Sequence, residues 1–151
     1  MKATRSSIES FLANRKIAVA GVSKDQKKFG HIVFKTLTEK GFEIFPINPT
    51  TDMIASTPCF RNVSALPVNV HNLLILTPRK QTHEVVAEAI RKGIDHIWIQ
   101  QGSETRETVD LIKAHKINLI TGECILMHAD PVTGIHKFHR TLKKLFGMMP
   151  K

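Results

Sequence analysis

The distribution of apolar runs predicts an α/β protein, a Rossmann-like doubly wound fold with a five-stranded parallel sheet and helices on both faces. Three observations predict it. Continuous apolar runs recur at residues 16–21 (KIAVAG), 43–47 (EIFPI), 72–77 (NLLILT), 96–100 (HIWIQ) and 117–121 (INLIT), and runs without polar alternation suit strands covered on both faces. Segments with helical spacing alternate with these runs, which calls for parallel strands joined by right-handed crossovers. Glycine and lysine gather just after the first strand, at the edge where open α/β sheets bind ligands.

In chain order, Ile8, Phe11 and Leu12 predict a flanking helix over about residues 5–14. Ile32, Val33, Thr36 and Leu37 share one face of the helix after the first strand. Thr82, Val85, Val86, Ala89 and Ile90 do so after the third, and Thr105, Val109 and Ile112 after the fourth. Gly41 and Gly93 stand where a left-handed residue ends a helix. Residues 50–70 contain Pro58 and Pro67 and follow Pro49, so only a short edge element and at most one helical turn around 63–66 are expected. Ile135, Phe138, Leu142, Leu145 and Phe146 predict a C-terminal helix over about 135–146. No repeat or linker divides the 151 residues, and residues 1–151 are expected to form a single domain.

At 42% hydrophobic and 23% charged residues, with 8 Gly and 7 Pro, the composition excludes disordered, collagenous and low-complexity chains. Cys59 and Cys124 show no paired spacing, and the first ten residues lack the apolar stretch of a secretory signal, so a reducing cytoplasm is expected. The longest apolar runs fall far below the roughly 20 residues that span a bilayer. Lys and Arg outnumber Asp and Glu by 22 to 13, a formal charge of +9, which favours an anionic partner without choosing one. The cations concentrate at Lys24, Lys27 and Lys28, and again at Lys137, Arg140, Lys143, Lys144 and Lys151. Solvated lysines are the competing explanation. Nucleic acid is disfavoured, because few aromatics look exposed for base stacking and no reading motif is present.

The first chemically suggestive segment is GVSKDQKKFG, from Gly21 to Gly30. Glycine at a strand end lets backbone approach a phosphate, Val22 and Ser23 offer amides, and Lys28 adds a cation at the start of the next helix. A plain strand-to-helix turn would need only one of these features. The dinucleotide fingerprint is incomplete: Ser23 replaces its second glycine, and Pro46-Ile47-Asn48-Pro49 supplies no acid for a ribose hydroxyl. NAD therefore loses ground to NADP or to CoA with its 3′-phosphate. An NADP-dependent oxidoreductase shares the fold, yet the chain has no Tyr to serve as a phenolic acid.

The run GVS…KKFG, PINP after the second strand, Thr77-Pro78 after the third, WIQQGS (Trp98 to Ser103) after the fourth and Cys124 after the fifth together resemble the stand-alone CoA-binding domain family. The likeness covers nearly the whole chain, is similar to the nucleotide-binding half of the succinyl-CoA synthetase α subunit, and extends to the tail of small bacterial members. It implies CoA or acyl-CoA along the strand ends. By position, Gly21, Val22, Ser23 and Lys28 would meet the phosphates, Asn48 and Pro49 would lie near the adenosine, and Thr77, Pro78 and Gly102 would line the pantetheine path. Phe29, Gly30 and Gln101 complete the implied binding set, Gln101 as a partner for a pantetheine amide. Family members commonly carry a glycine after the isoleucine following PINP, where this chain has Ala55-Ser56. The phosphorylated histidine and nucleotide-hydrolysing parts of the synthetases lie in further domains, so the resemblance implies binding or sensing, with a possible protein partner, and no catalytic residue.

Other residues have competing readings. Cys124 could meet a CoA thiol, although a packed structural thiol is the commoner role. Cys124, His128, His136 and His139 form a C-x3-H-x7-H-x2-H series that departs from familiar zinc spacings, so no metal is expected. Trp98 reads as a core aromatic, and Gln100 as a partner for turn backbone or ligand. His83 and Glu84 lack a third group to orient them as acid and base, and the helix dipole is the simpler explanation of the glutamate.

Overall fold

A computed structural model describes residues 3–129. Five parallel strands, β1 (Lys16–Ala20), β2 (Glu43–Ile47), β5 (Asn72–Ile75), β6 (His96–Gln100) and β7 (Asn118–Glu123), form one sheet in the order β2-β1-β5-β6-β7. Helices α2 (Phe29–Glu39), α3 (Arg79–Lys92) and α4 (Arg106–Lys113) are the crossovers, and α1 (Arg5–Ala13) precedes the sheet. This is the Rossmann-like architecture expected. Among the described residues no helix is long and apolar enough to cross a membrane.

The unbroken apolar runs follow from burial on both faces. Ile17 and Val19 of β1, Leu74 of β5 and Trp98 of β6 pack with Phe11 of α1 and Val33 and Leu37 of α2. Their strand neighbours Ala18, Ala20, Leu73, Ile75, Ile97 and Ile99 pack with Val86 and Ala89 of α3 and Ile112 of α4. Trp98 is the core aromatic expected: its ring meets Phe11 edge-on at 5.4 Å, and its indole N–H donates to the Glu123 carbonyl at 3.0 Å. Buried Asn72 donates through Nδ2 to the Phe11 carbonyl at 2.7 Å, tying the end of α1 to β5. Leaving such a buried donor unmatched would cost about 1–3 kcal/mol.

Gly93 ends α3 at φ 83° and Gly41 follows α2 at φ 84°, as their positions suggest. The expected face of α2 is rotated. Gly30, Val33, Phe34 and Leu37 turn inward, whereas Ile32 is 43% exposed, because close seating of Gly30 on the end of β1 sets the rotation. The fifth strand begins and ends later than the apolar run, reaching Glu123 to pair with Gln100 past an irregularity in β6–β7 register. The predicted C-terminal helix over 135–146, together with His136 and His139, lies outside the described residues.

Residues 50–70 form a two-stranded hairpin, β3 (Met53–Ile54) with β4 (Thr57–Pro58), and one 3₁₀ turn, η1 (Val63–Ala65). The hairpin turn holds Ala55 at φ 47° and Ser56 at φ 64° between the paired Ile54 and Thr57. Two successive positive φ values mark the turn type that favours Asn-Gly, and left-handed backbone costs a non-glycine residue about 1 kcal/mol or more. Ser56→Gly should therefore raise unfolding stability by about 1 kcal/mol, read from the urea midpoint at unchanged slope.

Candidate functional site

The chain passes from β1 to β2 on one side and returns past β1 to β5 on the other, so the sheet's switch point lies between β1 and β5. At the carboxyl ends of β1, β2 and β5 opens a cleft of about 800 Å³, and Gly21, Val22, Asn48, Pro49 and Thr77 all line it.

The entry to α2 is the tightest part of the site. A Cβ on Gly30 would lie 2.1 Å from the Gly21 carbonyl oxygen, and one on Gly21, at φ 94°, would meet Leu76 C at 2.9 Å and Thr77 N at 3.0 Å. Only glycine at both positions lets the loop pass between β5 and α2. Polar contacts then hold the loop. The His31 ring donates from Nδ1 to the Ser23 carbonyl at 2.8 Å, so that nitrogen carries the proton. Asn48 donates from Nδ2 to the Val22 carbonyl at 2.8 Å, while its Oδ1 accepts from the amide and hydroxyl of Thr50. Ser23 Oγ accepts from Asp25 N at 3.1 Å. With their carbonyls engaged, Val22 and Ser23 keep amides that donate to no acceptor among the described residues.

The adjoining helix end has the same character. Lys28 caps α2 through its backbone alone, without a side-chain hydrogen bond, and α3 likewise begins at Pro78 with no side-chain cap. Helices α1 and α4, by contrast, carry reciprocal threonine caps at Thr4 and Thr105. The Phe29 and Gly30 amides, which donate to no acceptor among the described residues, and the helix dipole make the start of α2, beside the loop, suited to an anion. Lys28 and Phe29 are exposed there, Phe29 at 41%.

Of the other expected site residues, Ser23, Lys28, Phe29, Gly30 and Pro78 do not line the cleft itself. Thr77 is buried and its hydroxyl pairs with that of Thr82 at 3.0 Å. Gln101 and Gly102 are exposed on the β6–α4 turn and do not line the cleft. Arg79 Nε donates to the Gly102 carbonyl at 3.0 Å, joining that turn to the first turn of α3 beside Pro78.

Sequence reasoning missed Arg61, Asn62, Gln81 and Glu88 on the cleft wall. The Phe60 amide donates to the Pro46 carbonyl and its carbonyl accepts from Asn48 N, which holds the Phe60–Arg61 segment against β2. Asn62 Oδ1 caps η1 by accepting from Ala65 N at 3.0 Å. Glu88 accepts from Val63 N at 2.8 Å and from the Ser64 hydroxyl at 3.1 Å, fixing η1 to α3. The Asn62 cap was legible as a turn signal; Arg61 had none, since a tertiary bridge places it.

The remaining candidates resolve individually. Cys124 is buried in the core beside Ile125 and Leu126. His128 pairs with Glu123 at 2.9 Å, both largely buried, and its ring lies 5.8 Å from that of Trp98. Gln100 accepts from Ile125 N at 3.2 Å, serving turn backbone. Glu84 lines the cleft beyond the first turn of α3, which contains no acid, so the helix dipole does not account for it. Burial pushes the Cys59 thiol up, the Asp52 carboxylate adds to this, and Lys24 opposes it. At the start of α4, the Glu107 backbone amide and then the Thr105 hydroxyl hold the exposed Glu107 carboxyl below its usual range.

The CoA binding domain family matches residues 15–130. The chain belongs to this family. It is 27% identical over 155 residues to the α subunit of an ADP-forming acetate–CoA ligase II from Pyrococcus furiosus, a match covering 95% of this chain and 32% of that subunit. The chain thus spans about a third of that relative's length. It is 26% identical over 114 residues to the Bacillus subtilis protein YneT, covering 74% of this chain and 83% of YneT. Among solved structures, a conserved hypothetical protein of Pyrococcus furiosus superposes with a TM-score of 0.72 at 37% identity, over 74% of this chain and 96% of that one. A hypothetical protein of Pyrococcus horikoshii gives 0.77 at 25% identity, over 89% and 100%.

The Gly21–Gly30 crossing is directly testable. Gly30→Ala should destabilise the fold by about 2–3 kcal/mol, since the added methyl meets backbone that has nowhere to move. A urea midpoint within error of wild type would contradict that packing.

Proposed function

We propose that this chain is a cytoplasmic, single-domain CoA-binding protein that holds CoA or acyl-CoA in the cleft at the ends of β1, β2 and β5, without a reaction of its own. The observation that carries the reading is the pair of unengaged amides at Val22 and Ser23 beside the uncapped start of α2. In this reading the pyrophosphate sits against Val22, Ser23 and the first turn of α2, with Phe29 and Gly30 contributing amides and Lys28 a counter-charge. Gly21 keeps the backbone close enough for contact. Asn48 acts by fixing the loop through the Val22 carbonyl, and Pro49 forms the adenosine wall. The pantetheine arm leaves along Thr77 and Pro78 toward Gln101 and Gly102. Membership of the CoA-binding domain family supports the ligand. Binding or sensing, with presentation to a protein partner, is the role this arrangement suits: among the described residues no oriented nucleophile and base adjoin the cleft.

Isothermal titration tests the reading. Wild type should bind CoA saturably and more tightly than NADP, and Lys28→Gln should weaken CoA by about 3- to 10-fold, the value of one exposed charge-assisted contact. Absence of heat from ligand-free wild type, or equal affinity for NADP, would overturn it.

A further inference from the structure

The cleft is electrically lopsided. Among the described residues Arg61 is the one cation on its lining, while Glu84 and Glu88 stand on the α3 wall. Glu88 is committed to Val63 and Ser64, so it turns little charge toward a ligand, and no contact engages the Glu84 carboxylate among the described residues. A phosphorylated ligand therefore meets a repelling wall on α3 and an attracting one at Arg61.

Arg61 is well placed and weakly held. Its backbone is fixed by the bridge between Phe60 and β2 on one side and the Asn62 cap on the other. Among the described residues its guanidinium reaches only Asp52, at 3.5 Å, with the two side chains 73% and 83% exposed. Such a pair contributes little and does not prevent the guanidinium from turning to a phosphate, which it can grip with two parallel N–H groups. Val22 lines the same cleft and Ser23 follows it in the loop, and in the CoA reading their unengaged amides take the pyrophosphate, apart from Arg61. Asn48, Pro49 and Thr50 line the same cleft, and this stretch has no carboxylate that would repel a phosphate on a ribose.

We infer that Arg61 determines specificity, selecting nucleotides that bear a phosphate monoester on the adenosine ribose, as CoA does at its 3′ position, over forms that lack it. The inference rests on the CoA reading and adds to it a second, distinct phosphate locus. Asp52, 3.5 Å from the guanidinium, competes weakly with the ligand phosphate for it.

The test is isothermal titration of the full chain at fixed salt with CoA and dephospho-CoA, for wild type, Arg61→Gln and Asp52→Asn. Wild type should prefer CoA by at least about 10-fold. Arg61→Gln should reduce that ratio to about 2 or less while leaving dephospho-CoA affinity within about 2-fold, and Asp52→Asn should increase it. Far-ultraviolet circular dichroism confirms that the variants, altered only at exposed side chains, remain folded. An Arg61→Gln ratio equal to wild type, or equal loss for both ligands, would overturn the assignment of Arg61 and leave CoA binding intact. A wild-type chain that binds dephospho-CoA as well as CoA would do the same. Failure of wild type to bind either ligand would overturn the CoA reading, and the inference with it.

Discussion

The site depends on one steric constraint, the passage of Gly30 over the Gly21 carbonyl at a separation that leaves no room for a side chain. This contact brings the first turn of α2 onto the end of β1, and it rotates the helix so that Val33, Phe34 and Leu37 reach the core. Gly21 satisfies a second, looser constraint on its other side, where an added Cβ would meet the backbone of Leu76 at 2.9 Å and Thr77 at 3.0 Å. The loop between them is thus confined by backbone on both sides. Its polarity follows from where its carbonyls go: those of Val22 and Ser23 turn inward to Asn48 and His31, leaving the amides as the groups available to a ligand.

The remainder of the cleft is assembled from parts distant in sequence. Asn48 ends β2 and holds the β1 loop, Phe60 bridges back to β2, and Glu88 of α3 fixes η1. Each is a polar contact that satisfies backbone in a region with little regular structure, where an unmatched group would be costly. The outcome is a cleft whose walls are held by the protein's own hydrogen bonds. Walls held in this way lower the ordering cost of any binding there.

Most of the fold was legible because the strands are covered on both faces. Five unbroken apolar runs and their intervening periodic segments leave few alternatives to a parallel sheet, and the glycine-lysine loop fell where such sheets bind ligands. Local pattern failed where tertiary contact decides. Ile32 belongs to the apolar stripe of α2 by spacing, yet the Gly30 contact turns it outward. Ala55 and Ser56 adopt left-handed backbone that neither residue favours, between the paired Ile54 and Thr57, at the place where the resemblance already marked a missing glycine. Asn48 lines the cleft, and its contacts with the Val22 carbonyl and with Thr50 are long-range and turn geometry that position alone does not spell out. Arg61 carries no local signal, since a single bridge from Phe60 to β2 brings it to the cleft.

The central claim is that the free amides of the β1–α2 loop and the first turn of α2 receive the phosphates of CoA. A proton–nitrogen correlation titration with CoA, followed by nuclear magnetic resonance on the full chain, tests it most directly. The account predicts saturable downfield shifts at Val22, Ser23, Phe29 and Gly30, while Ser7 and Thr108, whose amides already donate to Thr4 and Thr105, stay in place. Saturation of the protein with CoA while those four amides remain unmoved would contradict it.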